Sequence, residues 1–373
     1  MDSGRLKIGD SFVTHIDRCL DCRACETACP SGVEYGRIVE RARAQIEQHY
    51  QRPWLARRLR RYFFGTVLAD YHVLARWARW LRWYQRSGPQ RFVRATGILK
   101  LFGLEEVEAL APRIDEEFFF EEIGMVFPPV GERRARVALL AGCISSVAFA
   151  ELNWATVRVL TRNGVEVSVP ERQGCCGALH AHAGFREEAR LLARHNIAAL
   201  LDDRFDAILT NAAGCGSTLK EYDDLLAGDT EYEEKSKRFA AKVKDVTEFL
   251  AELGLRAPAR QLGARVTYQD PCHLAHGQRI HSAPRELLRA AGAELVEMPR
   301  SDHCCGSAGI YNAIQNQLSM QILDAKMEDV ASVPAEVIAT ANVGCMLQLR
   351  AGVARRGLNM EVKHVVEILD SCY

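Results

Sequence analysis

The pattern of hydrophobic and polar positions in the middle of this chain recurs at its end. An apolar β-like run over residues 137–143 ends in a cysteine, and a similar run covers residues 266–272. Each run is followed by a helical segment, a second strand, a longer helix and a third strand, with the later strands predicted at 165–169, 207–210, 293–297 and 337–340. Both copies close on similar stretches, 243–250 and 362–369. Strands that alternate with helices indicate a parallel α/β sheet in each copy.

The first third of the chain has a different pattern. Residues 76–84 predict a helix with aromatic side chains around much of its surface, ended by the breaker sequence Ser87-Gly88-Pro89. An acidic stretch follows over 105–122, and residues 127–131 are predicted to form a linker. We therefore predict four units: a small N-terminal module (1–50), a helical basic and aromatic connector (51–134), a first repeat (135–256) and a second repeat (257–373).

Cysteines hold the same positions in the two repeats. The offsets are 129 or 130 residues, and the equivalent pairs are Cys143 and Cys272, Cys175 and Cys304, Cys176 and Cys305, and Cys215 and Cys345. Packing does not require cysteine, since another small apolar residue would fill the same space. Metal or cluster ligands must be the same element at the same position. We expect these side chains just past strand ends, where open α/β sheets bind ligands.

A third group of cysteines lies near the N-terminus. Cys19, Cys22, Cys25 and Cys29, the last followed by Pro30, have the bacterial ferredoxin spacing C-x2-C-x2-C-x3-C-P. One tight loop can present three of these thiolates to a cubane cluster. Zinc is the main alternative, although it more often takes two separated C-x2-C pairs. The spacing favours an iron–sulfur cluster.

The overall composition excludes several classes of protein. The 373 residues carry a formal net charge of zero, with 48% hydrophobic and 26% charged residues, which disfavours a nucleic-acid-binding protein. Of thirteen cysteines, only Cys372 lies outside the three groups, and we expect it to be an ordinary thiol. Grouped free thiols without a secretory signal predict a cytoplasmic protein. No apolar run is long enough to span a membrane, and no dinucleotide motif or P-loop is present, so a flavin must be bound elsewhere.

The connector is strongly basic. Residues 51–100 contain twelve Arg or Lys residues and one acid, Asp70. Arginine and aromatic side chains are enriched at protein interfaces, and a basic aromatic helix can also lie on a membrane surface. We favour contact with a partner protein and keep a peripheral contact with the membrane as the alternative.

The paired Cys-Cys-Gly units resemble the cysteine-rich (CCG) domains of the heterodisulfide reductase B-subunit type. With the ferredoxin-type loop, the whole chain resembles the iron–sulfur subunit of glycolate oxidase (glycolate dehydrogenase). This resemblance implies an α-helical ferredoxin-like module followed by two parallel α/β CCG domains related by pseudo-twofold symmetry. It implies that electrons pass from a flavin-containing subunit, which oxidises glycolate, towards the quinone pool. The implied cofactors are [4Fe–4S] clusters, one in the loop and one or two in the CCG repeats.

Two departures from this family stand out. The family usually has two ferredoxin loops, and this chain has one, preceded by residues 4–18, which resemble the connector after the absent loop. Cys29 therefore either completes its own cluster or belongs to an incomplete version of a longer protein, which we favour. In the heterodisulfide reductase pattern a further cysteine closes each repeat, where this chain has Thr218 and Gln348. Four cysteines per repeat still suffice for one ordinary cluster.

Three alternative functions remain open from the sequence. The chain could reduce a disulfide at a repeat cluster, serve a lactate or glycerol-3-phosphate dehydrogenase complex, or be a zinc-stabilised scaffold. Histidines also lie near the cysteines, and we expect most of them to be neighbours of clusters or surface groups rather than iron ligands; they are His180, His182, His273, His276 and His303.

Overall fold

The N-terminal part of the chain is helical, as the sequence predicts. The structure, a computed structural model, describes residues 8–101 and 103–373, so residues 4–7 of the family-like connector lie outside the described residues. Its helices are α1 (Asp10–Asp17), α2 (Ala24–Ala28), α3 (Tyr35–His49), α4 (Trp54–Tyr62), α5 (Tyr71–Arg86), α6 (Pro89–Thr96), α7 (Ile98–Leu101) and α8 (Glu105–Ala109). A π-helical turn (Phe63–Val67) follows α4, and a 3-10 turn (Phe119–Glu122) precedes the repeats.

Helix α5 contains the aromatic segment and has clear end signals. The Asp70 carboxylate accepts hydrogen bonds from the N–H groups of His72 and Val73, which caps the first turn. The helix ends at Arg86, immediately before the predicted breaker. The predicted helix over 76–84 is thus confirmed. Among the described residues, no helix is long and apolar enough to cross a membrane.

Each repeat contains its own sheet. The strands are β1 (Val126–Phe127), β2 (Ala135–Leu139), β3 (Val165–Ser168), β4 (Ala207–Thr210), β5 (Val243–Asp245), β6 (Arg265–Tyr268), β7 (Glu294–Leu295), β8 (Val337–Thr340) and β9 (Glu361–His364). The first sheet has the order β1-β3-β2-β4-β5 and the second β7-β6-β8-β9. All neighbours are parallel except β1 and β3. The predicted parallel α/β repeats are confirmed.

Two local predictions differ from the structure. The linker predicted over 127–131 is wrong at Phe127, because β1 pairs antiparallel with β3 at the sheet edge and the Phe127 ring packs edge-on against Trp154 at 5.6 Å. The strand predicted over 293–297 is shorter, since only Glu294–Leu295 pair with β6.

The helices of the repeats surround these sheets. In the first repeat they are α9 (Cys143–Ala148), α10 (Ala150–Arg162), α11 (Ala178–His182), α12 (Arg186–Leu200), α13 (Ala213–Lys220), α14 (Tyr222–Leu225), α15 (Glu233–Lys242) and α16 (Val246–Leu253). In the second they are α17 (Ser282–Ala290), α18 (Tyr311–Ile314), α19 (Asn316–Ala331), α20 (Val343–Arg356) and α21 (Val365–Asp370), with a π-helical turn at His273–Gly277.

The two repeats pack against each other reciprocally. Helix α10 of the first repeat packs on α21 of the second, and α16 of the first packs on α17 of the second. Because α10 corresponds to α17 and α16 to α21, the interface uses the same pair of elements twice, as a twofold axis requires. Arg158 on α10 and Asp370 on α21 form an ion pair across it. This reciprocal packing agrees with the expected pseudo-twofold symmetry.

Candidate iron–sulfur centres

The first repeat brings its four cysteines to one end of its sheet. Cys143 follows β2 and begins α9, and Cys215 lies in the first turn of α13 after β4. Cys175 and Cys176 lie in the turn before α11, which Gly177 closes with a φ of 82°. The positions at strand ends and helix starts agree with the sequence prediction.

The second repeat places its cysteines equivalently. Cys272 precedes the π-helical turn, Cys345 lies in the first turn of α20, and Cys304 and Cys305 precede Gly306. Gly306 has a φ of 89°, and a Cβ atom there would lie 2.5 Å from the Ser319 carbonyl oxygen. Only glycine therefore fits this turn against helix α19.

The thiols of the first repeat contact one another in a chain. The Sγ atoms of Cys143 and Cys175 are 3.6 Å apart. Cys175 also lies close enough to Cys176, and Cys176 to Cys215, for these neighbours to raise the pKa of each thiol. The hydrogen bond to Cys175, together with burial, raises the pKa of the Cys143 thiol well above its ordinary value.

The second repeat forms the same chain, from Cys272 through Cys304 and Cys305 to Cys345. The hydrogen bond to Cys304, together with burial, raises the pKa of Cys272 well above its ordinary value. Four thiols this close cannot all ionise in a buried site unless positive charge lies among them. Soft, buried sulfur donors of this kind fit a metal–sulfur cluster, because its iron supplies that charge.

Both sets of cysteines open on one cavity of about 350 Å³ between the repeats. His182, His273 and Tyr311 also line it. Its cysteines come from the ferredoxin-type loop and from both repeats: Cys19, Cys143, Cys175, Cys176, Cys215, Cys272, Cys304, Cys305 and Cys345. Both repeat groups and Cys19 of the ferredoxin-type group therefore meet at a common space.

The ferredoxin-type loop has an unusual backbone. Asp21 and Arg23 have φ values of 58° and 62°, in the left-handed region that L-residues with side chains rarely adopt. The turn lets the Asp21 N–H point to the Sγ of Cys19 at 3.4 Å. Burial raises the pKa of Cys22, and the nearby Cys272 of the second repeat and Cys25 raise it further. The left-handed backbone of this loop carries a conformational cost that other contacts must offset.

Buried ion pairs supply those contacts. Arg23 is buried and binds the carboxylate of Glu221 through both of its terminal nitrogens. The buried Asp21 carboxylate lies 3.3 Å from Nδ1 of His182 and 3.5 Å from Arg43. Burial alone would lower the pKa of His182, but hydrogen bonds to Asp21 and Glu40 raise this pKa to about 9. Since Glu221 and His182 belong to the first repeat, the repeat itself holds the loop in shape.

The second repeat also contacts this module. Thr27 Oγ1 lies 3.0 Å from Nδ1 of His276, and the Tyr311 hydroxyl donates to the Arg18 carbonyl at 3.0 Å. The carboxylates of Asp21 and Glu40 and the His182 ring are close enough to hold an ion. The adjacent arginines Arg23 and Arg43 oppose a cation there. This group of charged side chains is better described as the docking contact of the N-terminal module.

Cys29 stands apart from this arrangement. In the described residues no hydrogen bond joins it to another thiol. The backbone N–H groups of Val33, Ser31 and Gly32 face its sulfur. Their hydrogen bonds, above all those from Val33 and Ser31, lower the pKa of the Cys29 thiol. The site is suited to a thiolate, so its chemistry fits a ligand even though the structure does not link it to the other three.

The nearby histidines have varied roles. His180 bonds the Phe64 carbonyl at 2.8 Å, and His303 is exposed. His273 lies closest to a predicted ligand, with Nδ1 3.4 Å from the Cys272 Sγ. The sequence did not single out Arg23 or Glu221 as supports of the loop, since 198 residues separate them.

Polar residues fill the positions where the related pattern has a closing cysteine. Gln348 is fully buried; it donates to the Ser319 hydroxyl at 2.9 Å and accepts from Asn312 at 3.2 Å. Thr218 is buried in α13. These side chains are used in packing and hydrogen bonding, so each repeat brings four cysteines together and not five.

The fold and these centres define an iron–sulfur protein built from paired cysteine-rich domains. The family model named "Cysteine-rich domain" matches residues 137–220 and 266–350. The model named "Glycolate oxidase iron-sulfur subunit, linker region" matches residues 55–111. This match lies within the predicted basic connector.

Similar proteins cover nearly the whole chain. It is 38% identical to the "Probable glycolate oxidase iron-sulfur subunit" of Bacillus subtilis (strain 168), over 98% of this chain and 84% of that protein. It is 33% identical to the "Glycolate oxidase iron-sulfur subunit" of Escherichia coli (strain K12), over 95% and 81%. A "Lactate utilization protein A" from Geobacillus sp. (strain WCH70) is 32% identical over 63% of this chain and 99% of its own length. The chain belongs to the family of glycolate oxidase iron–sulfur subunits.

Proposed function

We propose that this chain is the electron-transfer subunit of a flavin-dependent 2-hydroxy-acid dehydrogenase, with glycolate as the substrate of the flavin-containing partner. Electrons from that partner pass through this chain towards the quinone pool. The observation that carries the proposal is the meeting of both repeat cysteine groups and Cys19 of the loop at one cavity. Neighbouring cysteine groups suit electron transfer, because an electron can pass from the cluster held by one group to the cluster held by the next.

The ligand sets follow from the thiol contacts. We assign one [4Fe–4S] cluster to the loop cysteines, with Cys29 as fourth ligand, and one to each repeat, because the chains of contacting thiols stay within a repeat. The loop set is Cys19, Cys22, Cys25 and Cys29; the first repeat set is Cys143, Cys175, Cys176 and Cys215; the second is Cys272, Cys304, Cys305 and Cys345. When bound, such clusters accept and release single electrons.

The protein contributes burial and hydrogen bonds to these sites. The N–H of Gly306 points to the Cys304 Sγ and the Asn342 side chain donates to the Cys345 Sγ, both at 3.4 Å. Donors of this kind stabilise negative charge on sulfur and raise a cluster's reduction potential. Burial of the Cys143, Cys175, Cys176, Cys305 and Cys345 thiols shields these sulfur atoms from water.

Glycolate is favoured as the partner's substrate because two relatives that cover nearly the whole chain carry glycolate oxidase names. The relative named for lactate utilization covers only 63% of the chain, and a lactate or glycerol-3-phosphate complex is the alternative setting. A second candidate activity is disulfide reduction, for which the cavity shared by both repeats is the supporting observation. The absence of a fifth cysteine in each repeat opposes it.

The proposed setting is cytoplasmic, with the flavin subunit bound and with a peripheral contact at the inner face of the cell membrane. The supporting observation is the connector, where aromatic side chains project from a basic surface; Trp77, Trp80 and Trp83 are each more than half exposed. A surface of this kind is suited to a partner protein or to anionic lipid.

Anaerobic mixing tests the proposal. The cluster-loaded chain, combined with the flavin subunit of a glycolate oxidase, should lose its iron–sulfur absorption when glycolate is added and regain it with a quinone. The chain alone should leave glycolate unoxidised, because the proposal assigns the flavin to the partner subunit. Oxidation of glycolate or lactate by the isolated chain with an artificial acceptor would contradict the proposal.

A further inference from the structure

The two repeats differ at one buried position beside their Cys-Cys-Gly turns. Helix α12 backs the turn of the first repeat, where Gly177 packs on Ala189, and α19 backs that of the second, where Gly306 packs on Ser319. These helix residues are offset by 130, as are Cys215 and Cys345. The same offset pairs Asn196 on α12 with a lysine, Lys326, on α19.

Asn196 provides a neutral support in the first repeat. It is fully buried and accepts a hydrogen bond from the Gly174 N–H at 2.8 Å. Its amide donates to the Cys175 carbonyl at 2.8 Å and to the Tyr222 hydroxyl at 3.1 Å. The amide thus braces the turn without adding charge to it.

Lys326 supports the second repeat with a cation. It is 1% exposed, and its Nζ donates to the carbonyl oxygens of Arg300 at 2.7 Å and Ser301 at 3.2 Å. These carbonyls come just before the Cys-Cys-Gly turn. Burial lowers the pKa of Lys326, and negative charge on Cys305, Asp329 and Cys304 acts in the opposite direction and favours the charged form of the ammonium group.

The charge of Lys326 is not cancelled by a close partner. Within the described parts of the chain, no carboxylate lies within ion-pair distance of its Nζ. The neighbouring Asp329 binds Arg300, and Asp270 near Cys272 binds Arg285, so those charges cancel in pairs. Burying an unpaired cation costs free energy unless nearby negative charge compensates for it. In the second repeat that negative charge comes from the cluster ligands Cys305 and Cys304 and, beyond ion-pair distance, from Asp329 and Asp302.

We propose that Lys326 makes the second repeat the stronger electron acceptor of the two. Reduction adds one negative charge at the site held by Cys272, Cys304, Cys305 and Cys345, and a buried cation stabilises that charge strongly in a medium of low dielectric. The first repeat has a neutral amide at the same place. One electron therefore leaves the first site, which is oxidised, and enters the second, which is reduced, with no bond made or broken. This direction rests on the proposed electron-transfer function.

Redox titration of the anaerobically purified chain, monitored by electron paramagnetic resonance, tests the inference. The wild-type chain should show unequal midpoint potentials for the two repeats. Lys326→Met keeps the length of the side chain but removes its charge. This variant should decrease the higher midpoint potential and leave the other midpoint potential unchanged. Lys326→Arg should leave both in place, because it retains the charge.

Two further variants serve as controls. Lys363→Met removes an equal charge from a lysine that is 40% exposed on β9 of the same repeat. Because water screens this charge, both midpoint potentials should stay unchanged. Asn196→Lys should raise the lower potential, which keeps the inference testable if Lys326→Met does not load iron.

The outcomes separate this inference from the proposed function. Equal wild-type potentials for the two repeats, or a Lys326→Met variant that carries full iron and unchanged potentials, would overturn the direction of transfer and leave the electron-transfer function standing. A wild-type chain without any iron–sulfur signal would overturn both.

Discussion

At the level of single residues, the last helix of the first repeat is capped by an acid and the last helix of the second repeat by a base. Asp245 caps α16 and His364 caps α21, both through a capping box, and both are fully buried. Burial raises the pKa of Asp245 to about 6 and lowers the pKa of His364 to about 4. Their ordinary values are about 3.9 and 6.5. Equivalent positions in the repeats therefore respond to pH in opposite directions.

The opposite effects of Asp245 and His364 predict that the free energy of unfolding depends only weakly on pH. A substitution that removes one of the two effects should reveal the other. Between about pH 4 and 6 the unfolded chain has an ionised Asp245 while the folded chain keeps it protonated, so stability falls as pH rises. Over the same range the unfolded chain protonates His364 and the folded chain does not, so stability rises. Asp245→Asn keeps a capping side chain and removes the first effect. The free energy of unfolding in urea should therefore rise more steeply from pH 5 to 6 in the variant than in the wild-type chain.

The control is Asp203→Asn, at an aspartate whose side chain is 80% exposed; it should keep the wild-type pH profile. An Asp245→Asn profile parallel to the wild-type profile would contradict the assignment of a raised pKa to this carboxyl.

The sequence predicts the twelve grouped cysteines because their spacing is local or repeated. It does not predict the partners of Arg23, since Glu221 becomes its neighbour only when the module docks on the first repeat. Lys326 carried a weaker signal, a charged residue on the apolar face of a helix between Leu323 and Met327. Only the folded chain places it beside the Cys-Cys-Gly turn.

At the scale of elements, the ferredoxin-type loop depends on its docking contact. Removal of the Glu221 carboxylate leaves the Arg23 guanidinium buried without its main partner. Glu221→Ala should therefore lower the free energy of unfolding by about 3 kcal/mol. The exposed pair of Asp203 and Arg238 offers a matched control, because Asp203→Ala should cost less than about 1 kcal/mol. Equal losses in the two variants would show that the buried pair does not hold the loop.

The aromatic face of α5 predicts a second result at this scale. Trp80 and Trp83 pack edge to face at 5.5 Å, and Trp77 donates to the Tyr62 hydroxyl of α4 at 3.1 Å, so the exposed rings of two helices form one surface. Changing Trp77, Trp80 and Trp83 to Ser should release the flavin subunit in a co-purification experiment while iron content stays constant. Leu191→Ser, at an exposed apolar residue of α12, should retain the subunit. A triple variant that still binds the flavin subunit would refute this docking surface.

Elements with their own hydrophobic pattern are predicted well from the sequence. Strands β2 and β4 and helix α5 are examples, because burial or capping defines them locally. Strand β1 is not predicted, since two residues carry no periodicity and their pairing with β3 defines the strand. Its partner comes from about 40 residues later in the chain.

At the scale of the whole molecule, the repeated sequence becomes a repeated architecture with unequal halves. Reciprocal packing of α10 on α21 and of α16 on α17 places both sets of cysteines at one cavity. The ferredoxin-type module joins them by contacts to both repeats. The sequence predicts the symmetry from the matched cysteines, but the shared cavity depends on the angle between the repeats, which no local pattern records.

All three cysteine groups are proposed to hold clusters. The most direct test is the number of iron and acid-labile sulfide atoms per chain in anaerobically purified protein. Three [4Fe–4S] clusters predict about twelve of each, four for every cluster. About eight or fewer of each would leave at least one cysteine group without a cluster, and zinc in place of iron would overturn the electron-transfer function itself.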